Sequence, residues 1–506
     1  RRGMQPAVFD SRTTRQTAPL GVGAAGDVGM PENRMRIAYI HDSPLFERLE
    51  SSYRDPEKLL QLGFTDVVLS DQMSGCLYGI TDQLLEEIET VSDLGLGVWL
   101  MDDIFTLPAN SNAGCPGLEE TWSLTEKAIR DVIESAPQIR GLVFRYGETF
   151  ESFDSEIKRI GLFDCQCIDC SSIDEITRRR KVIELLESVV CREGGKRCIL
   201  RLWDLTENGI HGNRILQSKV LSKWGGDPRF FVSVKHTKTD YWRHQPWNPS
   251  ITEPGPARLV EFQCEREYEF VGMVPNWMGP EWSQGPIECG EHGRTGIANS
   301  RPLDWAGSWI IPIGGGWSNR QVENSLWADM NVHAALALTA NPDLDASEIL
   351  GEWISKNSLP AGLQTLLEKS PELILRLRYL DVWKVLENQT WMPSENWFRD
   401  DNFVPGACMK IANSVAENGM EELLRSERAL ATAMARKQLL EAESLAVCEH
   451  TDFIIDSYRW AYRFAEWTEQ TWDALLNQAP LSRDECKSLL LRRLAQDPLP
   501  PLSVMD

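Results

Sequence analysis

No apolar run in this sequence approaches the roughly 18–20 consecutive residues that a bilayer-spanning helix needs. The first 34 residues also lack the apolar stretch of a secretory signal, and they read as a disordered tail. Positive charge is in short supply: 52 Lys and Arg stand against 75 Asp and Glu, a formal net charge of −23. That balance argues against nucleic acid and against an anionic membrane surface as partners. It leaves room for an acidic small substrate, because a local basic pocket can overrule the global field. Missing too is a Gly-rich dinucleotide fingerprint after the first strand-like run, and the GGG at 314–316 lacks the Lys-Ser/Thr of a phosphate loop. Twelve cysteines scattered along the chain, with no export signal read before them, fit a reduced compartment better than a disulfide framework. The cytoplasm is the expected location.

What the chain does have is repetition. Apolar runs at 35–41, 65–71, 95–104, 140–148, 196–204, 231–240, 257–267 and 306–316 make eight strand signals, most of them followed by an amphipathic helical stretch. The pattern predicts an α/β fold, a (β/α)8 barrel over residues 35–345. Past Asn341-Pro342 the strand signals stop, and residues 346–506 read as an all-helical C-terminal domain, a candidate homodimer face. Its Trp and Leu stripe is read as core packing.

Polar residues gather at the ends of the strand runs, where a barrel builds its active site. Glu148 ends the fourth, Asp240 the sixth and Glu267 the seventh. Glycosidic bond cleavage needs one carboxylic acid to protonate the leaving oxygen and one carboxylate to activate water or attack the sugar. Three carboxylates around one mouth can supply either arrangement. Arg145, Arg201 and Lys235 lie within strand runs, where unpaired cations are expensive to bury. Either they pair with those carboxylates or they bind an anionic group of the substrate. A uronic acid satisfies both conditions. Trp203 and Trp242 are aromatic candidates for a sugar face, and the late-loop tryptophans 247, 277, 282, 305, 309 and 317 are divided between a carbohydrate cleft and the core. His41, ending the first run, is either a contact for substrate hydroxyls or a satisfied rim histidine.

At VSVKHTKTD and LVEFQCEREY the chain resembles glycoside hydrolase family 67, the α-glucuronidases acting on glucuronosyl side groups of xylan fragments. GRTGIANSRPLDWAG and SLWADMNVHAALALTANPDLDASEI resemble that family's eighth-strand entry and following helix, and the resemblance spans roughly residues 140–355. It implies an inverting mechanism on a terminal uronic acid of an oligosaccharide. Glu148 would be the general acid, Asp240 and Glu267 would activate water, and Lys235 and Arg201 would hold the uronate. No catalytic cofactor is implied. Departures accompany it: Phe144 stands where the family has Lys, and alternation puts the neighbouring Arg145 on the opposite face. His244 and Gln245 replace Arg and Glu, and only 34 residues precede the first strand where the family carries a β-rich domain. A retaining glycosidase, with Glu148 as acid/base and Glu267 as nucleophile, and a non-catalytic uronide-binding relative are the alternatives.

Cys165, Cys167 and Cys170 form C-x-C-x-x-C after the fourth strand run. With Cys115, Cys289 or His292 as fourth ligand they would make a structural zinc site; the alternative is unliganded thiols on a loop.

Overall fold

Eight parallel strands close into a barrel in the order in which the chain lays them down. The structure is a computed structural model, and it describes residues 34–504 apart from 41–50, 71–78, 112–113, 147–156, 160–161, 163–164, 166, 203, 205–208, 222–225, 291–294, 315–324, 387–396, 400–401 and 500–501. The strands are β1 (Met35–Ala38), β2 (Asp66–Ser70), β3 (Gly97–Asp103), β4 (Gly141–Tyr146), β5 (Arg197–Leu202), β6 (Phe230–Lys235), β7 (Ala257–Gln263) and β8 (Trp305–Ile311). Each pairs in parallel with its sequence neighbour, and β8 pairs with β1 to close the ring. Closure needs a glycine. Gly307 sits at φ +142, and a Cβ there would meet the Met35 carbonyl oxygen at 2.0 Å.

After every strand but β6 comes an α-helix: α1 (Pro56–Leu62), α2 (Asp82–Asp93), α3 (Glu119–Ser135), α4 (Glu175–Leu186), α5 (Arg214–Leu221), α6 (Gly279–Gln284) and α7 (Ser325–Ala340). Their starts are written locally. Asp55 accepts from Glu57 N with Pro56 in the first turn, while Thr81 and Asp174 cap α2 and α4 through the backbone N–H groups of Leu84 and Thr177.

Strand alternation then sorts the core. Ile37, Trp99, Met101, Val143, Ile199, Leu259 and Trp309 fill the barrel lumen. Their neighbours Ala38, Leu100, Phe144, Leu200 and Val260 pack outward in the cluster shared with the helices.

Residues 33–506 form one compact unit. After α7 come α8 (Ala346–Lys356), α9 (Gly362–Glu368), α10 (Ser370–Arg378), α11 (Asp381–Leu386), α12 (Pro405–Glu417), α13 (Glu421–Glu443), α14 (Thr451–Leu476) and α15 (Arg483–Gln496). The helical reading past residue 346 needs one correction. A three-stranded sheet joins Phe398–Arg399, Asn402–Phe403 and Ser503–Val504, and strands of two residues carry no alternation to read. The helices dock on the β7–α6 loop through aromatic rings, with Phe270 at 4.8 Å from Phe464 and 5.5 Å from Trp460 between centroids. Among the described residues no helix is long and apolar enough to cross a membrane.

Candidate active site

Above the apolar lumen, at the C-terminal ends of β3 to β7, the inward-facing positions turn polar. Arg145 and Arg201 share the inward parity of Val143 and Ile199. Arg201 is fully buried and forks onto Glu261, Nε to Oε1 at 3.0 Å and Nη2 to Oε2 at 2.7 Å. Ser233 Oγ and Tyr241 OH donate to the same carboxylate at 2.8 and 3.1 Å. Burial would raise the Glu261 pKa, but the Arg201 charge and its hydrogen bonds bring it down to about 2. One strand pair away, Arg145 forks onto Asp103 at 2.6 and 2.7 Å, also buried. These bidentate pairs form a neutralised floor.

Asp240 stands on that floor. Lys235 Nζ donates to its Oδ1, Tyr241 N donates to the same oxygen at 2.9 Å, and Tyr268 OH donates to Oδ2 at 2.7 Å. Burial pushes the Asp240 pKa up, while the Lys235 charge and hydrogen bond and then the Tyr268 hydroxyl outweigh it and hold it at about 2. The carboxylate is ionised throughout the neutral range and keeps 21% of its side chain exposed. The Tyr268 bond also ties the β7–α6 loop, and so the backbone beside Glu267, to the β6 loop. Glu267 is buried, and its N–H donates to Gln263 Oε1 at 3.4 Å.

Behind this rim lies a second ionic cluster with no exposure to speak of. Arg243 reaches Glu281 at 3.2 Å and Glu269 at 3.6 Å, and Arg266 pairs with Glu281 and, at 3.5 Å, with Glu269. Asn276 and Tyr379 donate to Glu269 at 2.6 and 2.7 Å, and His236 Nε2 lies 3.1 Å from Glu281. Burial would raise Glu281, but Arg266 and Arg243 hold its pKa at about 2. The cluster locks the β6 loop, the β7 loop, α6 and the end of α10 together.

Several expectations change. Asp240 and Glu267 do not end strands: β6 stops at Lys235 and β7 at Gln263, five and four residues earlier. The chain beyond β6 folds back on itself instead, with Thr237 bridged to Trp247 and Asn248 N donating to His236 O at 2.7 Å. Trp242 presents no open sugar-stacking face in this structure, since it is buried and stacked on Tyr268 with centroids 4.3 Å apart and planes 5° from parallel. The tryptophans at 247, 277, 282, 305 and 309 are buried too. Arg201 finds a protein carboxylate rather than solvent. Arg145 faces the lumen, and Phe144 faces the helices, as alternation requires. Glu148, His41, Trp203, Trp317 and His292 lie outside the described residues. Sequence reasoning missed Glu261 and Asp103. For Asp103 the available signal was an acid inside a strand, two residues on from an inward Met101 and in register with an equally awkward Arg145; Glu261 stands in register with Lys235 and meets Arg201 from two strands away. Cys264 is buried, and burial pushes its thiol pKa well up, which fits packing. Cys115, not Cys289, joins the three clustered cysteines.

No family model matches the sequence, and no curated protein matches it. Among solved structures the chain is similar to a GH138 enzyme targeting pectin rhamnogalacturonan II, at 12% identity over 92% of this chain and 62% of that one, TM-score 0.46. It thus spans less than two thirds of that enzyme's length. It is also similar to a mutant O-GlcNAc hydrolase of Thermobaculum terrenum, at 10% identity over 92% and 88% of the two chains, TM-score 0.42. A D-psicose 3-epimerase follows at 12% identity over 62% and 99%, TM-score 0.35. At such identity and scores no residue role follows from these likenesses.

Proposed function

We propose that this chain is a barrel glycoside hydrolase that removes a terminal α-linked uronic acid from an oligosaccharide with inversion. The observation that carries the reading is the state of Asp240: ionised, partly exposed, and fixed by Lys235 and Tyr268 at the barrel mouth. Cleavage by inversion needs one carboxylate that stays charged while it activates water, and one carboxyl that stays protonated to release the leaving group. Asp240 fits the first role and is unsuited to the second. Glu267, beside the Tyr268 that grips Asp240, shares the task of orienting water, and Glu148, two residues past β4 in the sequence, is the general acid. The reaction needs no cofactor.

Charge pairing divides the basic residues. Arg201 acts from below, where it holds Glu261 under Ser233 and Tyr241. The uronate contact falls to Lys235, since an ammonium has three donors and a bond to Asp240 does not exclude a second carboxylate. The test is proton NMR of the anomeric region during incubation with glucuronosyl-xylooligosaccharides. Immediate release of β-glucuronic acid is expected. Release of the α anomer first would replace inversion with retention, and saturable binding without turnover would make the chain a uronide-binding protein.

A further inference from the structure

On the side of the barrel mouth formed by β3 and β4, four cysteines converge from two loops. Cys115 comes from the segment before α3, and Cys165, Cys167 and Cys170 come from the segment between β4 and α4. All four sulfurs lie within 4.8 Å of one another, and no other group of metal-ligating side chains of this kind occurs among the described residues. Cys115 Sγ is 3.1 Å from Cys170 Sγ, 3.3 Å from Cys167 Sγ and 3.5 Å from Cys165 Sγ. A tetrahedral zinc with bonds of about 2.3 Å has sulfur–sulfur edges of about 3.8 Å; the three edges from Cys115 are a few tenths of an ångström shorter, and all six are under 4.8 Å. A disulfide would need about 2.05 Å, and none of the four is in one.

The surroundings suit thiolates. Gly117 N donates to Cys115 Sγ at 3.3 Å and to Cys170 Sγ at 3.1 Å, and Cys170 N donates to Cys167 Sγ at 3.4 Å. Arg178 brings a guanidinium alongside, donating to the carbonyl oxygens of Leu162, Cys170 and Ile173. Gly117 leaves room for this approach: a Cβ there would stand 3.3 Å from both Cys115 Sγ and Cys170 Sγ and 3.1 Å from Asp169 Cβ, close enough to crowd them.

We propose that Cys115, Cys165, Cys167 and Cys170 bind one zinc ion as a closed tetrathiolate site that clamps the β3–α3 loop to the β4–α4 loop. Binding releases four thiol protons to solvent and leaves a centre of net charge −2, which the N–H donors and Arg178 offset. Four sulfurs fill the coordination sphere, so no position is left for water or substrate and the metal's role is structural. The same two loops are already joined by an antiparallel ribbon, Thr106–Pro108 with Ile157–Arg159. The metal is the second tie, and the segment between the two ties and β4 is the one whose sequence carries Glu148.

The experiment is elemental analysis of the full chain, purified under reducing conditions without chelator. About one zinc per chain is expected, falling to about none in Cys115→Ser and Cys170→Ser and staying at one in Cys448→Ser. Because a ligand variant can fail to fold, Gly117→Ala is tested beside them: it keeps all four sulfurs, crowds two, and should release zinc to a competing chelator faster than the parent. Cobalt exchanged into the parent should show the thiolate charge-transfer and visible bands of a tetrahedral tetrathiolate. Metal-free protein whose four thiols are alkylated as readily as free cysteine, iron in place of zinc, or a mass lowered by disulfide formation would each overturn the assignment. None of these readouts depends on glycosidase activity.

Discussion

Asp240 and Arg243 stand three residues apart on one loop, and their surroundings are opposite. Asp240 has one cation, one phenol and partial access to water. Arg243 is sealed among Glu269, Glu281 and Glu288, with Arg266 sharing two of those acids. Both regions read identically in the sequence, as charge crowded with aromatic rings past a strand end. The difference is the number of partners. A buried charge persists only when matched on every side, so the Arg243 cluster is a structural lock. A carboxylate held ionised with one side open is placed to act on something that enters.

The comparison breaks first at Asp240→Asn. Its kcat should fall by about 10²–10⁴-fold, the range for losing a positioned base, while unfolding free energy drops by about 2–3 kcal/mol, the contribution at neutral pH of a carboxylate held at a pKa of about 2. Urea denaturation beside steady-state kinetics checks both. Glu281→Leu should do the reverse. It leaves Arg243 and Arg266 underpaired in the interior and should cost about 3–5 kcal/mol, with any folded fraction keeping near-parent turnover per active site. Should Glu281→Leu stay stable and lose turnover instead, the two regions would have to exchange roles.

Tyr268→Phe sharpens the contrast at smaller scale. The ring keeps its stack on Trp242, and Asp240 loses one charge-assisted bond, worth about 1.5–3 kcal/mol. The expected result is a loss of about 10–100-fold in kcat/KM with the thermal midpoint little changed. An equal loss of stability and no kinetic effect would make the Tyr268 hydroxyl a packing device.

The barrel was legible because the strand runs carried their own apolar patterns and helices such as α1, α2 and α4 their own caps, both local properties. The pairing of Lys235 with Asp240, five residues apart, was within reach of the same reading. What stayed hidden depends on distant partners. Arg201 looked available for a uronate because Glu261, sixty residues on, gives no local sign of facing it. The late tryptophans stayed divided between cleft and core because what buries them, the barrel lumen for Trp309 and the β7 ring of Phe262 for Trp282, is not local to them. Cys289 looked as good a fourth ligand as Cys115 until the β3 and β4 loops were seen side by side.

The smallest expected effect is the most discriminating about charge. Asp240, Glu261 and Glu281 all have folded pKa values of about 2, below the ordinary carboxylate range near 4. A depressed folded pKa adds stability that is fully present above the unfolded pKa and is lost as pH falls through the folded one. Stability should therefore hardly respond to these groups between pH 7 and 5, and should decline from about pH 4 toward 2. Each group contributes a slope of at most about 1.4 kcal/mol per pH unit, so both Asp240→Asn and Glu281→Leu should flatten that decline by up to one proton. Activity separates the pair. With Asp240 charged down to about pH 2, the acid limb of kcat above pH 4 must belong to another group, and Tyr268→Phe, which raises the Asp240 pKa, should leave that limb where it is. A limb that moves with Tyr268→Phe would mean Asp240 itself titrates in the working range, and its role would shift from fixed carboxylate to proton carrier.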